Sequence, residues 1–271
     1  MLSRHPRSDR FETGTVELRR GDVTHPETLA SAVRGVDTIV QAVQFPGYPV
    51  EDAARGRTFM DVDAAGTAAM VEAAVDAGVR KLVYLSGIGA DARSDRVWFR
   101  AKGVAEAAVA SSGLAHVVVR PSWAYGPGDA SLNRFVRIIR LLPGFFPQIG
   151  SGGQALSPIF IDDLAWLVAE VAATSDADGR ILEAGGPQVL TLDQIIRTAM
   201  TVCGRAKPII HVPLPVVRLV AGALEHLPGQ VLSRSAVDFI TQSAVADSDA
   251  VKRVFPSFAP RPLAPALAGY L

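Results

Sequence analysis

Short apolar runs rich in β-branched residues alternate along the first half of the chain with longer segments of helical periodicity. The runs D-T-I-V-Q-A-V (37–43), K-L-V-Y-L (81–85) and A-H-V-V-V (115–119) predict buried strands. Helical patterns between and after them cover 61–77 and 98–111. Strands and helices that alternate in this way form parallel sheets with right-handed crossovers. The pattern therefore predicts an α/β fold built on a parallel sheet.

Further elements are predicted before and after this repeat. Candidate strands cover 15–18 and 180–183, and candidate helices cover 26–33, 161–173, 191–202, 212–228 and 233–242. Thr191 is placed to cap its helix. Glycine and proline cluster within 141–161, which predicts a loop, and the proline-rich end at 256–271 is expected to lie over the surface.

Composition narrows the class of protein. Of 271 residues 49% are hydrophobic, which is enough for a core, and the formal net charge of zero gives no basic surplus for nucleic acid. A single cysteine excludes an internal disulfide and fits a reducing cytoplasm. No segment predicts a signal peptide, a transmembrane helix or a metal site. The helix at 212–228 is better explained by packing on the core than by membrane contact.

Seven short motifs follow one another along nearly the whole chain. They are G-D-V (21–23), V-D-A-A-G-T (62–67), K-L-V-Y-L-S-G (81–87), A-K-G-V-A-E (101–106), R-P-S-W-A-Y-G-P-G-D (120–129), I-F-I-D-D-L-A (159–165) and L-E-A-G-G-P-Q-V-L-T (182–191). In this order the chain resembles the atypical and extended short-chain dehydrogenase/reductases, the NAD-dependent epimerase/dehydratase group. It looks most like the branch related to the nucleotide-binding accessory subunit of respiratory complex I.

This resemblance implies a Rossmann-like, doubly wound parallel sheet. Residues 1–120 would form an N-terminally incomplete dinucleotide-binding core, and residues 121–271 the remaining strands and a smaller substrate-side region. A Rossmann domain opens with a strand, a G-x-G-x-x-G loop and a helix that bind the pyrophosphate, and the sequence contains no such element.

The opening L-S-R-H-P-R (2–7) looks like the end of the family's second strand. We expect a longer natural gene product that begins upstream of Met1. The rival explanation is a shortened protein whose sheet has closed the gap. The strand at 15–18 would then have no neighbour unless it slid beside the strand at 37–43.

The resemblance also implies which residues contact the cofactor. They are Arg4, Asp22, Val23, Ala42, Val43, Lys102, Arg120, Pro121 and Ser122. Asp22 would accept from the adenine amino group while Val23 packs on the ring, although Asp22 also fits an ordinary turn. Arg4 and Arg7 stand where an arginine can meet a 2′-phosphate, which favours NADP over NAD, unless both are solvated surface residues.

The same resemblance implies Ser86 and Lys102 as catalytic residues. In the family, the serine holds the substrate carbonyl, and the lysine holds the nicotinamide ribose and lowers the pKa of a tyrosine four residues earlier. Here Trp98 occupies that position. An indole N–H donates a hydrogen bond but does not titrate usefully, so Trp98 cannot be the general acid. Asp63 stands where the family usually has asparagine.

Three functions remain open from these residues. The first is an NAD(P)-dependent oxidoreductase or epimerase-like enzyme acting on an apolar carbonyl or quinone, with Phe145, Phe146, Ile149 and Phe160 as candidate lining. The second is a nucleotide-binding redox sensor or assembly factor without turnover, with a homo-oligomer or a respiratory complex as partner. The third is a degenerate fragment that binds no ligand.

Overall fold

The computed structural model describes residues 1–6, 16–46, 51–224 and 241–271. The side chains of Ala54 and of residues 220–224 are not described. Some sequence predictions therefore lie outside the described residues. They are Arg7, the first residue of the strand at 15–18, the end of the helix at 212–228 and nearly all of the helix at 233–242.

Strands and helices alternate as the sequence predicts. The strands are β1 Leu2–Ser3, β2 Arg19–Arg20, β3 Thr38–Gln41, β4 Lys81–Leu85, β5 Ala115–Pro121, β6 Ala124–Tyr125, β7 Phe146–Ile149, β8 Ala155–Leu156, β9 Ile159–Phe160, β10 Arg180–Ala184, β11 Leu190–Thr191 and β12 Ile209–Val212. The α-helices are α1 Leu29–Ala32, α2 Gly66–Asp76, α3 Val97–Ala110, α4 Leu132–Leu141, α5 Ile161–Ala173, α6 Leu192–Val202, α7 Leu214–Leu224, α8 Asp249–Val254 and α9 Leu263–Ala268. A 3₁₀ turn, Pro26–Thr28, precedes α1, and a π-helical turn, Met60–Ala65, precedes α2.

A parallel sheet with the strand order β3–β4–β5–β10 lies at the centre of the fold. Strand β4 is buried because both of its faces are covered. Leu82 and Tyr84 pack with residues of α2 and α3, whereas Val83 packs with residues of α5. The predicted Rossmann-like parallel sheet is confirmed, and its carboxyl edge gathers the loops that carry the candidate site.

A separate two-stranded parallel sheet is formed by β1 and β2. Arg19 N donates to Met1 O at 2.9 Å, and Gly21 N donates to Ser3 O at 3.1 Å. The prediction that the strand at 15–18 would lack a neighbour or slide beside 37–43 is therefore wrong. Two backbone hydrogen bonds and the packing of Leu2 against the core hold the strand beside β1 instead.

The region predicted as loop at 141–161 contains strands. Strand β7 pairs in parallel with β12, with Phe146 opposite Ile209. Phe146 and Gln148 point inward and alternate with more exposed residues, so the two-residue period of a strand is present despite the flanking glycines and prolines. The loop prediction is wrong here because glycine and proline mark the turns around this strand rather than its absence.

The C-terminal segment is anchored rather than draped over the surface. Leu263 and Leu267 of α9 are buried in a second core with residues of α4 and α6. Ahead of that helix, Arg261 pairs with Asp163 at 2.8 Å and lies 4.3 Å above the ring of Phe160. The surface prediction for 256–271 is corrected, because apolar residues spaced four apart turn this short helix inward.

Helix α7 covers the described part of the apolar segment at 212–228. Val217 is buried, whereas the side chain of Leu219 is 76% exposed. Among the residues that the structure describes, no helix is both long and apolar enough to span a membrane.

The start of α6 confirms the predicted cap. Thr191 Oγ1 accepts from Gln194 N at 3.2 Å, and Gln194 Oε1 accepts from Thr191 N at 2.7 Å, which makes a capping box. We predict that Thr191→Ala lowers the free energy of unfolding by about 1 kcal/mol. Urea denaturation followed by circular dichroism measures this. Thr198→Ala on the same helix is the matched control, since its hydroxyl bonds only the Gln194 carbonyl, and an equal loss there would contradict the assignment.

Candidate functional site

Loops at the carboxyl ends of the parallel strands converge on one edge of the fold. This is the edge at which open α/β sheets bind ligands. Gly21 and Asp22 follow β2, Ala42 to Phe45 follow β3, and Ser86 follows β4. Pro121 ends β5 and Ser122 comes next. The predicted site residues on these loops thus belong to one edge.

An ion pair between Lys102 and Asp63 lies beneath this edge. Lys102 Nζ is 2.8 Å from Asp63 Oδ1, and the two side chains are 3% and 0% exposed. Oδ1 accepts no directed hydrogen bond within the described residues, so the contact is one of charge. Lys102 Nζ also donates to Leu85 O at 3.4 Å and lies 5.4 Å from the centre of the Tyr84 ring. Three partners thus already surround the ammonium.

The other oxygen of Asp63 holds the loop after β3. Asp63 Oδ2 accepts from the backbone N–H of Phe45 at 2.9 Å, and both residues are buried. Asp63 lies on the π-helical turn Met60–Ala65, a conformation that is rare and is found often at functional sites. The carboxylate therefore links the 42–46 loop to α3.

Ser86 is turned toward α3 by a second buried charge pair. Its hydroxyl donates to Glu106 Oε1 at 2.5 Å. Arg120 donates two hydrogen bonds to the same carboxylate, from Nε at 2.8 Å and from Nη2 at 2.6 Å. This hydrogen bonding to Glu106 raises the pKa of Arg120, so the guanidinium stays charged. A carboxylate only accepts, and the Ser86 proton is therefore directed to Glu106.

Trp98 lies on the turn of α3 that faces the end of β4. A Cβ placed on Gly87 would be 2.3 Å from Cη2 of the indole, so the ring packs directly against the glycine backbone. The neighbouring Phe99 packs in the same way against Gly89, whose φ is +85°. Trp98 thus occupies the place, four residues before Lys102, where the resemblance implies a phenol.

The described tyrosines do not offer a phenol that titrates near neutral pH. Burial, with the charges of Asp63 and Glu106, raises the pKa of Tyr84 far above its ordinary value of about 10. Burial likewise raises the pKa of Tyr125. Burial also raises the pKa of Tyr270 to about 12. None of these three side chains matches the requirement of a general acid, a pKa close to the working pH.

The residues expected on the adenine side differ in what holds them. Burial alone would raise the pKa of Asp22, but hydrogen bonds from the backbone and hydroxyl of Thr24, at 2.9 and 2.8 Å, outweigh it and lower the pKa. Val23 is buried, Ala42 is exposed and Val43 is half-buried. Arg4 is exposed at the end of β1. Asp22 thus stabilises its own turn, with part of its surface still open.

Arg120 and Ser122 are held by protein partners. Arg120 is bound to Glu106, as described above, and its Nη2 also donates to Ala90 O at 3.3 Å. Ser122 Oγ donates to Ala244 O and accepts from Ser157 N, so it ties β5 to the C-terminal region. Their predicted cofactor role stays a prediction, and their observed contacts are structural.

Two acids of the site make contacts that the sequence does not predict. Glu106 belongs to the A-K-G-V-A-E motif, yet no role was predicted for it. A lone acid four residues after Lys102 on an otherwise apolar helix face was the available signal. Asp63 was noted only as a departure from asparagine, and its pairing with Lys102 was missed because the two residues are distant in sequence.

Within the described part of the chain, no group of three or more potential ligands could hold a metal ion.

A family profile for NAD(P)H-binding proteins matches residues 1–136. The chain belongs to this NAD(P)H-binding family. The match covers the strands whose carboxyl edge carries Asp22, Ser86 and Lys102.

Two of the relatives that share sequence with this chain show its range of similarity. It is 27% identical over 157 residues to mitochondrial NADH dehydrogenase (ubiquinone) 1 alpha subcomplex subunit 9 of Arabidopsis thaliana, covering 57% of the chain and 38% of that protein. It is 25% identical over 240 residues to the 3 beta-hydroxysteroid dehydrogenase/Delta 5-->4-isomerase of Mycobacterium tuberculosis (strain ATCC 25618 / H37Rv), covering 78% and 65%. In both cases the chain spans less than two thirds of the relative's length.

Solved structures share the fold at low identity. The crystal structure of gox2253 superposes with a TM-score of 0.75 at 23% identity, covering 99% of this chain and 87% of that one. MoeE5 in complex with UDP-glucuronic acid and NAD gives a TM-score of 0.74 at 19% identity, covering 99% and 88%. The Rossmann-like fold is thereby confirmed, while NAD and NADP are not distinguished.

The contact between Gly87 and Trp98 gives a stability prediction. Gly87→Ala is expected to lower the free energy of unfolding by about 1–3 kcal/mol, because the added methyl overlaps the indole. Chemical denaturation measures the loss. Gly153→Ala is the control, since its nearest neighbour would be 3.4 Å away. If Gly87→Ala lowers stability as much in a Trp98→Ala background as in the unmodified chain, the overlap is not the cause of the loss.

Tyr84 gives a prediction of pH dependence. The pKa of the Tyr84 phenol is raised in the folded state, so folding favours the neutral phenol. This contribution to stability is fully present below the pKa of an unfolded tyrosine, about 10, and it is lost progressively as the pH rises above that value. Between pH 8 and pH 11 the free energy of unfolding should therefore fall less in Tyr84→Phe than in the unmodified chain. An identical fall in both proteins would contradict the buried, neutral phenol.

Proposed function

We propose that the chain binds a nicotinamide dinucleotide at the carboxyl edge of its sheet and acts as a nucleotide-responsive sensor or subunit, without turnover by the family's tyrosine route. One observation carries this proposal. Each group that would perform that chemistry is bound to a protein neighbour or replaced. Lys102 pairs with Asp63, and Ser86 donates to Glu106. The position of the phenol is taken by Trp98, which packs against Gly87.

The residues along the edge fit such a ligand in part. Asp22 has an open side and Ala42 is exposed, so a polar and an apolar group are available to adenine and ribose. Val23 is buried in the core and offers little surface to a ligand. The exposed Arg4 would meet a 2′-phosphate, so we propose NADP(H) before NAD(H). When bound, the nicotinamide ring gives or accepts a hydride.

The chain's own residues would orient the ligand rather than move a proton. The loop after β3 is fixed by Asp63, and Glu106 and Arg120 fix the end of β4 through Ser86. Elements that are already fixed favour binding, because less conformational entropy is lost when the ligand binds. A conformational signal would pass through the same loops.

A second candidate is an oxidoreductase acting on an apolar carbonyl or quinone. Exposed apolar side chains favour it: Leu141 is 69% exposed, and Leu142 and Phe145 are open as well. The relative named as a hydroxysteroid dehydrogenase is in keeping with such a substrate. Of the other expected lining residues, Phe146 and Phe160 are buried in the second core.

Partner and location follow as further proposals. The relative from the NADH dehydrogenase complex makes a respiratory-complex partner the first choice for the sensor function, with a homo-oligomer as the alternative. The neutral charge and single cysteine favour the cytoplasm. The division of the chain at residue 120 also stays a prediction.

Ligand titration tests the proposed function directly. NADPH and NADH are titrated into the full chain and binding is followed by calorimetry, with NADPH expected to bind more tightly. Arg4→Gln should reduce that preference by about tenfold, the loss expected of one charge-assisted contact. Arg180→Gln is the control, since Arg180 is exposed at the amino end of β10, away from the carboxyl edge. If neither nucleotide binds, the proposed function is wrong.

Turnover separates the two candidates. Oxidation of NADPH is measured by absorbance with a panel of ketosteroids, quinones and small ketones. We expect no turnover by the unmodified chain, and none after Trp98→Tyr, because the Ser86 hydroxyl would still donate its hydrogen bond to Glu106. Steady oxidation by the unmodified chain would establish the oxidoreductase instead.

A further inference from the structure

The ion pair of Lys102 and Asp63 joins three elements of the proposed nucleotide site. Asp63 comes from the turn before α2, Lys102 from α3, and the Phe45 N–H from the loop after β3. Both charged side chains are almost completely buried, so neither charge is solvated by water. In such surroundings each charge depends on the other, and removal of one leaves the second uncompensated.

The space around the Lys102 ammonium is already filled by protein groups. An ammonium has three N–H donors, and around Nζ lie the Asp63 carboxylate, the Leu85 carbonyl and the face of the Tyr84 ring. A direct bond to a ribose would have to displace one of these partners. Displacing the carboxylate would leave a buried anion behind, which is the most costly of the three exchanges.

Asp63, by contrast, reaches the ligand side of the site through the backbone. Its second oxygen fixes Phe45, and Phe45 packs edge-on against Phe59 with ring centroids 5.0 Å apart. These contacts set the course of the loop that begins with Ala42 and Val43, the residues expected beside the cofactor. The carboxylate can hold this N–H only while its own charge is compensated.

We propose that Lys102 acts on the nucleotide site through Asp63, as the counter-charge that lets Asp63 fix the 42–46 loop. Asp63 and Lys102 are then positioning residues. This inference rests on the proposed function and specifies how one part of that site is maintained. It differs from a ribose-holding lysine, whose contribution would not depend on Asp63.

A rescue experiment tests this. Lys102→Met, Asp63→Asn and the double variant are made in the full chain, and NADPH affinity is measured by calorimetry. Lys102→Met should weaken binding by about tenfold, because it leaves Asp63 unpaired beside the loop. The double variant should bind within about threefold of the unmodified chain, because the introduced amide oxygen still accepts from Phe45 N–H and no buried charge remains.

Lys81→Met is the matched control. Lys81 is itself nearly buried and pairs with the partly exposed Asp178 at the opposite end of β4, and its loss should leave NADPH affinity unchanged. A double variant that binds as weakly as Lys102→Met would overturn the proposal in favour of direct contact. If Lys102→Met does not fold, the double variant is compared with Asp63→Asn. Equal affinity supports the proposal, and a further loss of about tenfold overturns it.

Hydrogen exchange at the Phe45 amide provides a readout that needs no ligand. The amide should be protected in the unmodified chain, exchange faster in Lys102→Met and regain protection in the double variant. Unchanged protection in Lys102→Met would overturn the inference even if NADPH binds. If NADPH fails to bind the unmodified chain, the proposed function is wrong, and the exchange pattern alone decides whether Lys102 positions the loop.

Discussion

The candidate site is organised by the contact between one buried ammonium and one buried carboxylate. Each of the two buried side chains depends on the other, because removing one partner of a buried ion pair costs about 3–5 kcal/mol. The pair also determines backbone structure, since Asp63 accepts from Phe45 N–H and Lys102 donates to Leu85 O. The loop after β3, the end of β4 and the start of α3 are therefore held in one arrangement.

A second charge pair repeats the same principle one helical turn further along α3. Glu106 receives two bonds from Arg120 and one from Ser86, so a polar network crosses from the helix to β4 and β5. Fully partnered networks of this kind make a core rigid and specific. In this chain they also determine which atoms remain for a ligand. Ser86 directs its proton to Glu106, so its lone pairs are what remain for a ligand.

The sequence was most informative where a local pattern decided the structure. The run at Lys81–Leu85, the helix Ile161–Ala173 and the cap at Thr191 follow from β-branched content, helical periodicity and capping preference. Phe146–Ile149 was missed because its partner Ile209–Val212 lies far later in the chain, and such pairing leaves no local signal. The pairing of Asp63 with Lys102 was missed for the same reason. The motif order located the site but could not tell which hydroxyl or ammonium would be engaged by a neighbour.

The close contact of Trp98 with Gly87 has a consequence for how this protein can change over time. A larger residue at Gly87 overlaps the indole, and a smaller one at Trp98 leaves the strand end uncovered. Each substitution is therefore unfavourable until the other has occurred, which is sign epistasis between two positions. A protein with this pair therefore has few single-step mutational paths at either position. Its descendants are constrained to diversify in the surrounding loops rather than at this contact.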